Sequence, residues 1–453
     1  MDTAVNTHFV NEQLSAPADL LDLHTANPEH CPYLLQSAAQ GRYDFLFAYP
    51  AEALELHADG RLTGPHADQA GGDFLRALDL WWQDLRLPVP SAQAPPFRGG
   101  WFLFLGYELA QQIEPILDLP LSSGIPIAMA IRIPAAFIHD RESHHIHRIV
   151  EEEFAELLPG MRTHVACAPM EKSTNILSGL LDEEEPQLYL DSVVRAQRYI
   201  HDGDIFQANL SRRWRADLYP QVTSAAIYRR LRVANPAPFA GVARLGTHAI
   251  ISSSPERLVR VHGRRVEVRP IAGTRPRSTH LQRDRDLIRE LITNPKERAE
   301  HVMLLDLERN DLGRICDTGS VRVDELMVVE SFRHVHHIVS NVCGQLRPQV
   351  TPGEVIRAVF PGGTITGCPK VRCMQIIAEL EAAPRGAYTG AMGYLNRDGD
   401  LDLNILIRTL VQHGRQLEFR AGAGIVADSI PERELEETRA KALGMVRALG
   451  VDV

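Results

Sequence analysis

Apolar residues recur along this chain at two spacings, and the change from one to the other divides it. From residue 1 to about 155, runs such as YDFLFAYP (Tyr43 to Pro50), GGWFLFLGYEL (Gly99 to Leu109) and IPIAMAIRIPAAFIHD (Ile125 to Asp140) read as short strands separated by turns. The piece LPVPSAQAPPF (Leu87 to Phe97) reads as a surface connection, because each proline removes a ladder donor. Residues 158–187 lose periodicity and end in an acidic run, which predicts a linker or long connection. From residue 188 the spacing becomes helical. Tyr189, Val193, Ala196 and Ile200 fall on one face, Gly203-Asp204 ends that helix, and a strand follows over Ile205 to Trp214. Asn294 and Pro295 predict a helix start, asparagine as cap and proline at the first helical position, running through KERAEHVMLLDLER. EVIRAVF, KVRCMQIIAELEAA and ERELEETRAKALGMVRAL read as further helices. AYTGAMGYLN, LDLNILIRTLVQ and QLEFRAGAGIV read as strands joined by turns such as RDGD (Arg397 to Asp400), so an antiparallel or mixed sheet with helices against it is expected.

With 453 residues, 44% of them hydrophobic, the chain can bury a large core, and its length alone suggests two or three domains. A net charge of −10, and no basic run interleaved with aromatics, argue against a nucleic-acid surface. An acidic protein needs local cations to hold an acidic ligand. The start MDTAVNTHFVNEQ lacks the pattern of a signal peptide, and no apolar run approaches the roughly 18 residues of a membrane span, so a cytoplasmic location is expected. The six cysteines are scattered and form no Cys-x-x-Cys pair, which suits small buried hydrophobes better than a disulfide framework.

Candidate chemistry is densest in the last hundred residues, with further candidates before them. Glu297 and Glu300 are three apart on a helix, and Glu434 and Glu437 repeat that spacing. Two such pairs suit a hard cation such as Mg²⁺. Glu-x-x-Glu on a helix is a weak signal, and on spacing alone a capping-box role for Glu297 and a solvated face for the second pair fit better. Arg408 lies in an apolar run read as a strand, where a guanidinium is costly to bury unless it meets an acid. Gly422 and Gly424, and Gly362 and Gly363, can present amide donors to that acid or simply make turns. His337, Tyr388 and Glu256 each have an ordinary packing reading too. No Gly-x-Ser-x-Gly elbow, Gly-Lys-Ser/Thr phosphate loop or His-Glu-x-x-His helix occurs.

SPERL, PIAGTRPR, KERAEHVMLLDLERNDLGRIC, HIVS, PGGTITGCPKVR, IRTL and AGAGIVADS, in that order, resemble the chorismate-utilising enzymes. That family includes anthranilate synthase large components, aminodeoxychorismate synthase component I and isochorismate synthases. The likeness is strong over residues 188–450 and weaker before them. It implies an α+β fold of two large antiparallel sheets packed as a sandwich and surrounded by helices. Residues 1–157 would be the N-terminal part of that sandwich, 158–187 the connection and 188–453 the chorismate-binding region. The resemblance places the Mg²⁺ carboxylates on Glu297, Glu300, Glu434 and Glu437. It places the enolpyruvyl-carboxylate grip on Arg408, Tyr388, Gly422 and Gly424, with Lys441 near the metal. Thr364 and His337 fall beside the ring, Ala272, Gly273 and Thr274 in the PIAGT loop, and Glu256 on the acid that protonates the departing hydroxyl at ring carbon 4.

Isochorismate-forming relatives carry a water-activating lysine where this chain has Gln207, so the resemblance implies ammonia as nucleophile. NPAPF (Asn235 to Phe239), Asn209 and the pair His336-His337 look more like aminodeoxychorismate synthase component I, of p-aminobenzoate and folate biosynthesis. Ala272 instead resembles anthranilate synthase, because many aminodeoxychorismate synthases have a lysine there. LLQS (Leu34 to Ser37) sits where relatives carry a tryptophan pocket, commonly with Glu in place of Gln36, so bound tryptophan is not expected. The chain has no amidotransferase half. Ammonia from a separate glutaminase subunit, in a heterodimer, is therefore implied, and an inactive paralogue that only activates such a subunit is the alternative of another class.

Overall fold

The computed structural model describes residues 8–14, 19–39, 41–88, 94–121, 124–163, 175–332 and 335–451. Alternation along single strands shows how the layers arise. In the strand Gly100–Leu105, Phe102 and Phe104 enter one core cluster while Trp101, Leu103 and Leu105 enter another. Tyr43–Ala48 behaves alike, with Phe45 and Phe47 on one side and Leu46 and Ala48 on the other. Strands apolar on both faces must be covered twice.

Among the described residues, two sheets of twelve and eleven strands do this, with every pairing antiparallel. They face one another across an aromatic layer in which Tyr33 stacks on Phe102 at 4.3 Å and Phe47 meets Phe97 edge-on at 4.9 Å. Helices Leu20–Ala26, Ser224–Ala234 and Pro431–Ala448 cover the outside of the larger sheet. Phe74–Leu85, Pro295–Gly313 and Pro352–Val359 cover the outside of the smaller one. Pro186–His201 and Lys370–Glu381 pack on the Gln207–Asp217 and Gln416–Ile425 strands. The expected α+β sandwich is the fold observed. Both halves of the chain build each sheet: Tyr33–Gln36 pairs with Phe239–Leu245, and Gly100–Leu105 with Ala391–Asn396.

Several elements differ from the sequence reading. LDLNILIRTLVQ is two strands, Leu401–Asn404 in the smaller sheet and Thr409–His413 in the larger, so Arg408 lies on the crossing between sheets rather than on a strand. The sequence reading gives no helix over Leu281–Thr293, because Leu287 and Leu291 are its few buried apolar residues among many charges. Residues 158–163 are helical and Asp182–Glu183 pairs with Trp214 and Arg215, while 164–174, with Cys167, lie outside the described residues. The same holds for 89–93 of the proline-rich connection. Cys31, Cys316, Cys343, Cys368 and Cys373 are unpaired. Among the described residues no helix is long and apolar enough to cross a membrane.

Candidate active site

Glu256 follows the strand His248–Ser254 and is only 5% exposed. Its carbonyl accepts from the Ile405 amide at 3.0 Å and its own amide donates to Ser254 Oγ at 3.3 Å, so the backbone beneath the carboxyl is tied to the crossing segment. Burial pushes the carboxyl from 4.5 up to about 7, against the opposing pull of Thr364, the Ile271 amide, Arg408 and Lys441. Such an acid still holds a proton near neutrality, as a proton donor to a leaving group must. The Thr364 hydroxyl approaches it without hydrogen-bond geometry and is buried with no other partner among the described residues.

Arg408 ends the crossing segment in a left-handed conformation, φ +53°, with its carbonyl accepting from the Ser253 amide at 3.1 Å. Its guanidinium is half-buried, and among the described residues no hydrogen bond or ion pair fixes it. Burial lowers its pKa, while Tyr388, Glu256 and Glu437 act in the opposite sense. A half-buried guanidinium that no hydrogen bond or ion pair fixes among the described residues can receive an acid.

Among the described residues, the strand Gln416–Ile425 beyond Phe419 has a ladder partner on one side only, the Gln207–Asp217 strand. Gly422 lies opposite Ser211 and Gly424 opposite Asn209, yet the Asn209 amide donates to Thr366 and the Ser211 amide to Glu381. The Gly422 carbonyl accepts from Lys441 Nζ at 3.0 Å on the open edge. Because N–H and C=O of one strand residue point the same way, the Gly422 and Gly424 amides face that edge too. A side chain at Gly422 would have its Cβ 2.5 Å from the Leu210 carbonyl oxygen, and one at Gly424 would have to displace the end of Gln207. A Cβ on Gly424 would stand 2.3 Å from Gln207 Nε2, and one on Gly422 would stand 2.8 Å from the Tyr388 hydroxyl and 2.9 Å from Asn209 Oδ1. Gln207 Oε1 and Asn209 Oδ1 are buried acceptors with no partner among the described residues.

On the other sheet the register slips between Ala272 and Thr274, with Ala272 opposite Ile338. Gly273 takes φ +35° at this bulge. Thr274 Oγ1 and His337 Nδ1 are 2.8 Å apart. Burial, then Arg408 and His336, push the His337 ring down to about 4, so it is neutral at pH 7. A Cβ on Gly273 would meet Glu297 Oε2 at 2.6 Å, which sets Glu297 against this loop. Asn294 Oδ1 caps the helix through the Glu297 amide at 3.3 Å, and the Glu297 carboxylate pairs with Arg275 at 2.9 Å.

A sequence model of the family described as chorismate binding enzyme matches residues 31–447. The chain belongs to that family. It is 40% identical over 431 residues to aminodeoxychorismate synthase component 1 of Bacillus subtilis (strain 168), covering 92% of this chain and 91% of the relative. It is 41% identical over 429 residues to anthranilate synthase component 1 of Thermus thermophilus, covering 92% of each. The crystal structure of anthranilate synthase component I from Streptococcus pneumoniae TIGR4 superposes with a TM-score of 0.79 at 34% identity, covering 90% of this chain and 92% of that one.

In this chorismate binding enzyme the four candidate metal carboxylates sit in the first two turns of helices Pro295–Gly313 and Pro431–Ala448. Glu437 pairs with Lys441 at 2.8 Å, and together with Glu434 it acts on Tyr189. Among the described residues no three Asp, Glu, His or Cys side chains stand close enough to hold a metal ion. The donor set is nonetheless all carboxylate oxygen, the kind that Mg²⁺ takes, and Glu297 and Glu437 are balanced by Arg275 and Lys441. A separate cavity of about 700 Å³, bordered by Leu35, Gln36 and Ser37, shares Ile271 with the site. Sequence reasoning missed Glu308, a carboxyl 5% exposed in a helix full of charges, where nothing in the pattern sets it apart.

Proposed function

We propose that this chain is aminodeoxychorismate synthase component I, exchanging the ring hydroxyl of chorismate for an amino group from ammonia. The pair His336-His337 with NPAPF and Asn209 carries the choice of aminodeoxychorismate, and Gln207 supports ammonia over water: its amide, with a buried oxygen unpartnered among the described residues, stands beside Gly424 where isochorismate-forming relatives would carry a water-activating lysine. That oxygen can accept from ammonia but cannot deprotonate water. Arg408 and the Gly422 and Gly424 amides hold one substrate carboxylate, Tyr388 packs beside them, and Thr364, Thr274 and neutral His337 border the ring. Glu256 gives its proton to the departing hydroxyl, which leaves as water. The ammonium formed on the ring then loses a proton, which restores the acid, so chorismate and ammonia become aminodeoxychorismate and water.

Glu297, Glu300, Glu434 and Glu437 would hold Mg²⁺, which when bound supplies positive charge against the second carboxylate of the substrate. Glu434→Gln is expected to raise the Mg²⁺ concentration needed for half-maximal activity about tenfold or more, with an unchanged unfolding midpoint; full activity at low Mg²⁺ would remove Glu434 from the site. The B. subtilis relative is named component 1, which supports a partner subunit that supplies ammonia, in a heterodimer.

Ala272 favours a second reading, anthranilate synthase component I, because no lysine is present at the bulge to add to the ring. Incubating the pure chain with chorismate, Mg²⁺ and an ammonium salt, followed by chromatography with mass detection, separates the two. A 4-amino product retaining the enolpyruvyl group supports the proposal, and anthranilate with pyruvate supports the second reading. Chorismate left unconsumed by folded protein would point to a paralogue that only activates a glutaminase.

A further inference from the structure

Behind Glu256 lies a second buried carboxyl. Glu308 projects from the helix Pro295–Gly313, and its Oε1 accepts from the Gly363 amide at 3.3 Å. Gly363 opens the short 3₁₀ turn Gly363–Ile365, whose middle residue is Thr364. The turn packs tightly on the helix: a Cβ on Gly363 would stand 2.5 Å from Leu307 Cδ2 and 3.1 Å from Glu308 Oε1. Its far end is closed by Thr366, which donates through its hydroxyl to the Gly362 carbonyl at 2.9 Å and through its amide to the Gly363 carbonyl at 3.3 Å. The Gly363 amide is therefore the point at which the turn is attached to the helix.

The groups that face Glu308 are Asp311 on its own helix, Lys370 on the helix Lys370–Glu381, and Glu256 across the turn. Asp311 is engaged by Lys370 and, at 3.0 Å, by Arg314. Lys370 is thus committed to Asp311 and leaves Glu308 without an ion pair among the described residues. Burial and the Asp311 charge push the Glu308 carboxyl up, toward its neutral form. A neutral carboxyl costs less to bury here than a charged one, and it does not repel the negative charge left on Glu256 after proton transfer.

We propose that Glu308 is a positioning residue for the reaction: through the Gly363 amide it fixes the Gly363–Ile365 turn, and with it the Thr364 hydroxyl, against the Glu256 carboxyl. The inference rests on the reading of Glu256 and Thr364 as parts of the active site. It has a clear chemical requirement, a hydrogen-bond acceptor of glutamate length at residue 308. Glutamine meets that requirement, whereas methionine fills the space without the acceptor.

The test compares Glu308→Gln with Glu308→Met, with Glu308→Ala as the reserve if methionine does not fold. Chorismate consumption is followed with Mg²⁺ and ammonium, and amide exchange over residues 360–366 is followed by mass spectrometry in the absence of substrate. Glu308→Met is expected to lower kcat roughly tenfold or more, with KM for chorismate within about threefold. It should also speed exchange in the turn about tenfold while the rest of the chain keeps its protection. Glu308→Gln should keep most of the rate and all of the protection. In a Thr364→Ala background, Glu308→Met should cost little further, because the hydroxyl it positions is gone. Wild-type exchange in the Met variant, or an undiminished cost in the Thr364→Ala background, would overturn the proposal. If the wild-type chain consumes no chorismate, the functional reading fails, while exchange in the turn still decides whether Glu308 holds it.

Discussion

Glu256→Gln is expected to lower chorismate turnover by roughly 10²–10⁴-fold while leaving the dissociation constant for chorismate within about threefold. Glutamine keeps the shape and the contact with the Ile271 amide but has no proton of suitable acidity to give to the leaving hydroxyl. Rapid-mixing kinetics and equilibrium binding on the same sample separate the two quantities; equal losses in both would make Glu256 structural. The wild-type enzyme should lose kcat/KM as pH rises through about 7, when free ammonia is held constant, because burial places the carboxyl there. The glutamine variant should lack that limb.

The same substitution has a stability signature of opposite sign. A carboxyl raised from 4.5 unfolded to about 7 folded binds its proton more tightly in the native state, so stability is lost as pH rises between those values. Glutamine does not titrate. Relative to wild type, the variant should therefore gain about 1 kcal/mol between pH 6 and pH 8, as measured by denaturant unfolding at the two pH values. An inactive variant more stable than its parent at alkaline pH would show that Glu256 is kept in its apolar surroundings for chemistry rather than for folding.

Arg408→Gln is expected to weaken chorismate binding by about 30–100-fold, the worth of one charge-assisted contact of some 2–3 kcal/mol. The apo protein should not be destabilised, since the guanidinium has no ion pair among the described residues to lose. Arg408→Lys should recover little of the affinity, because a flexible ammonium does not reproduce a planar fork held at φ +53°. Calorimetric titration with chorismate checks both, and a lysine variant of wild-type affinity would show that only charge is read at this position.

Much of this was legible in the chain because local chemistry and fold agree. The apolar runs around Phe45 and Phe102 read as strands and are strands, but that both faces are covered, and that AGAG lies close to Gln207 and Asn209, follows only from the sandwich. The crossing at Ile405–Arg408 was not legible. An unbroken apolar run reads as one strand, and only the sandwich, by pairing its two halves in different sheets, divides it. Glu308 was hidden for a related reason: its burial depends on a turn more than fifty positions later in the chain, which no helical periodicity reports. The pairing of Glu297 with Arg275 was not legible either, because the bulged strand that brings Arg275 is joined to the helix only by the fold.

The crossing segment also makes the site sensitive to the sandwich as a whole. Ile405 is tied to Glu256, Thr409 continues into the larger sheet and Asn404 ends a strand of the smaller one, so Arg408 is a hinge pin between two plates. If one plate slides on the other, the guanidinium moves relative to the glycine edge on one side and the bulge on the other. Thinning the aromatic layer between the plates, far from any substrate atom, would then be felt first as lost grip on the substrate and only later as unfolding.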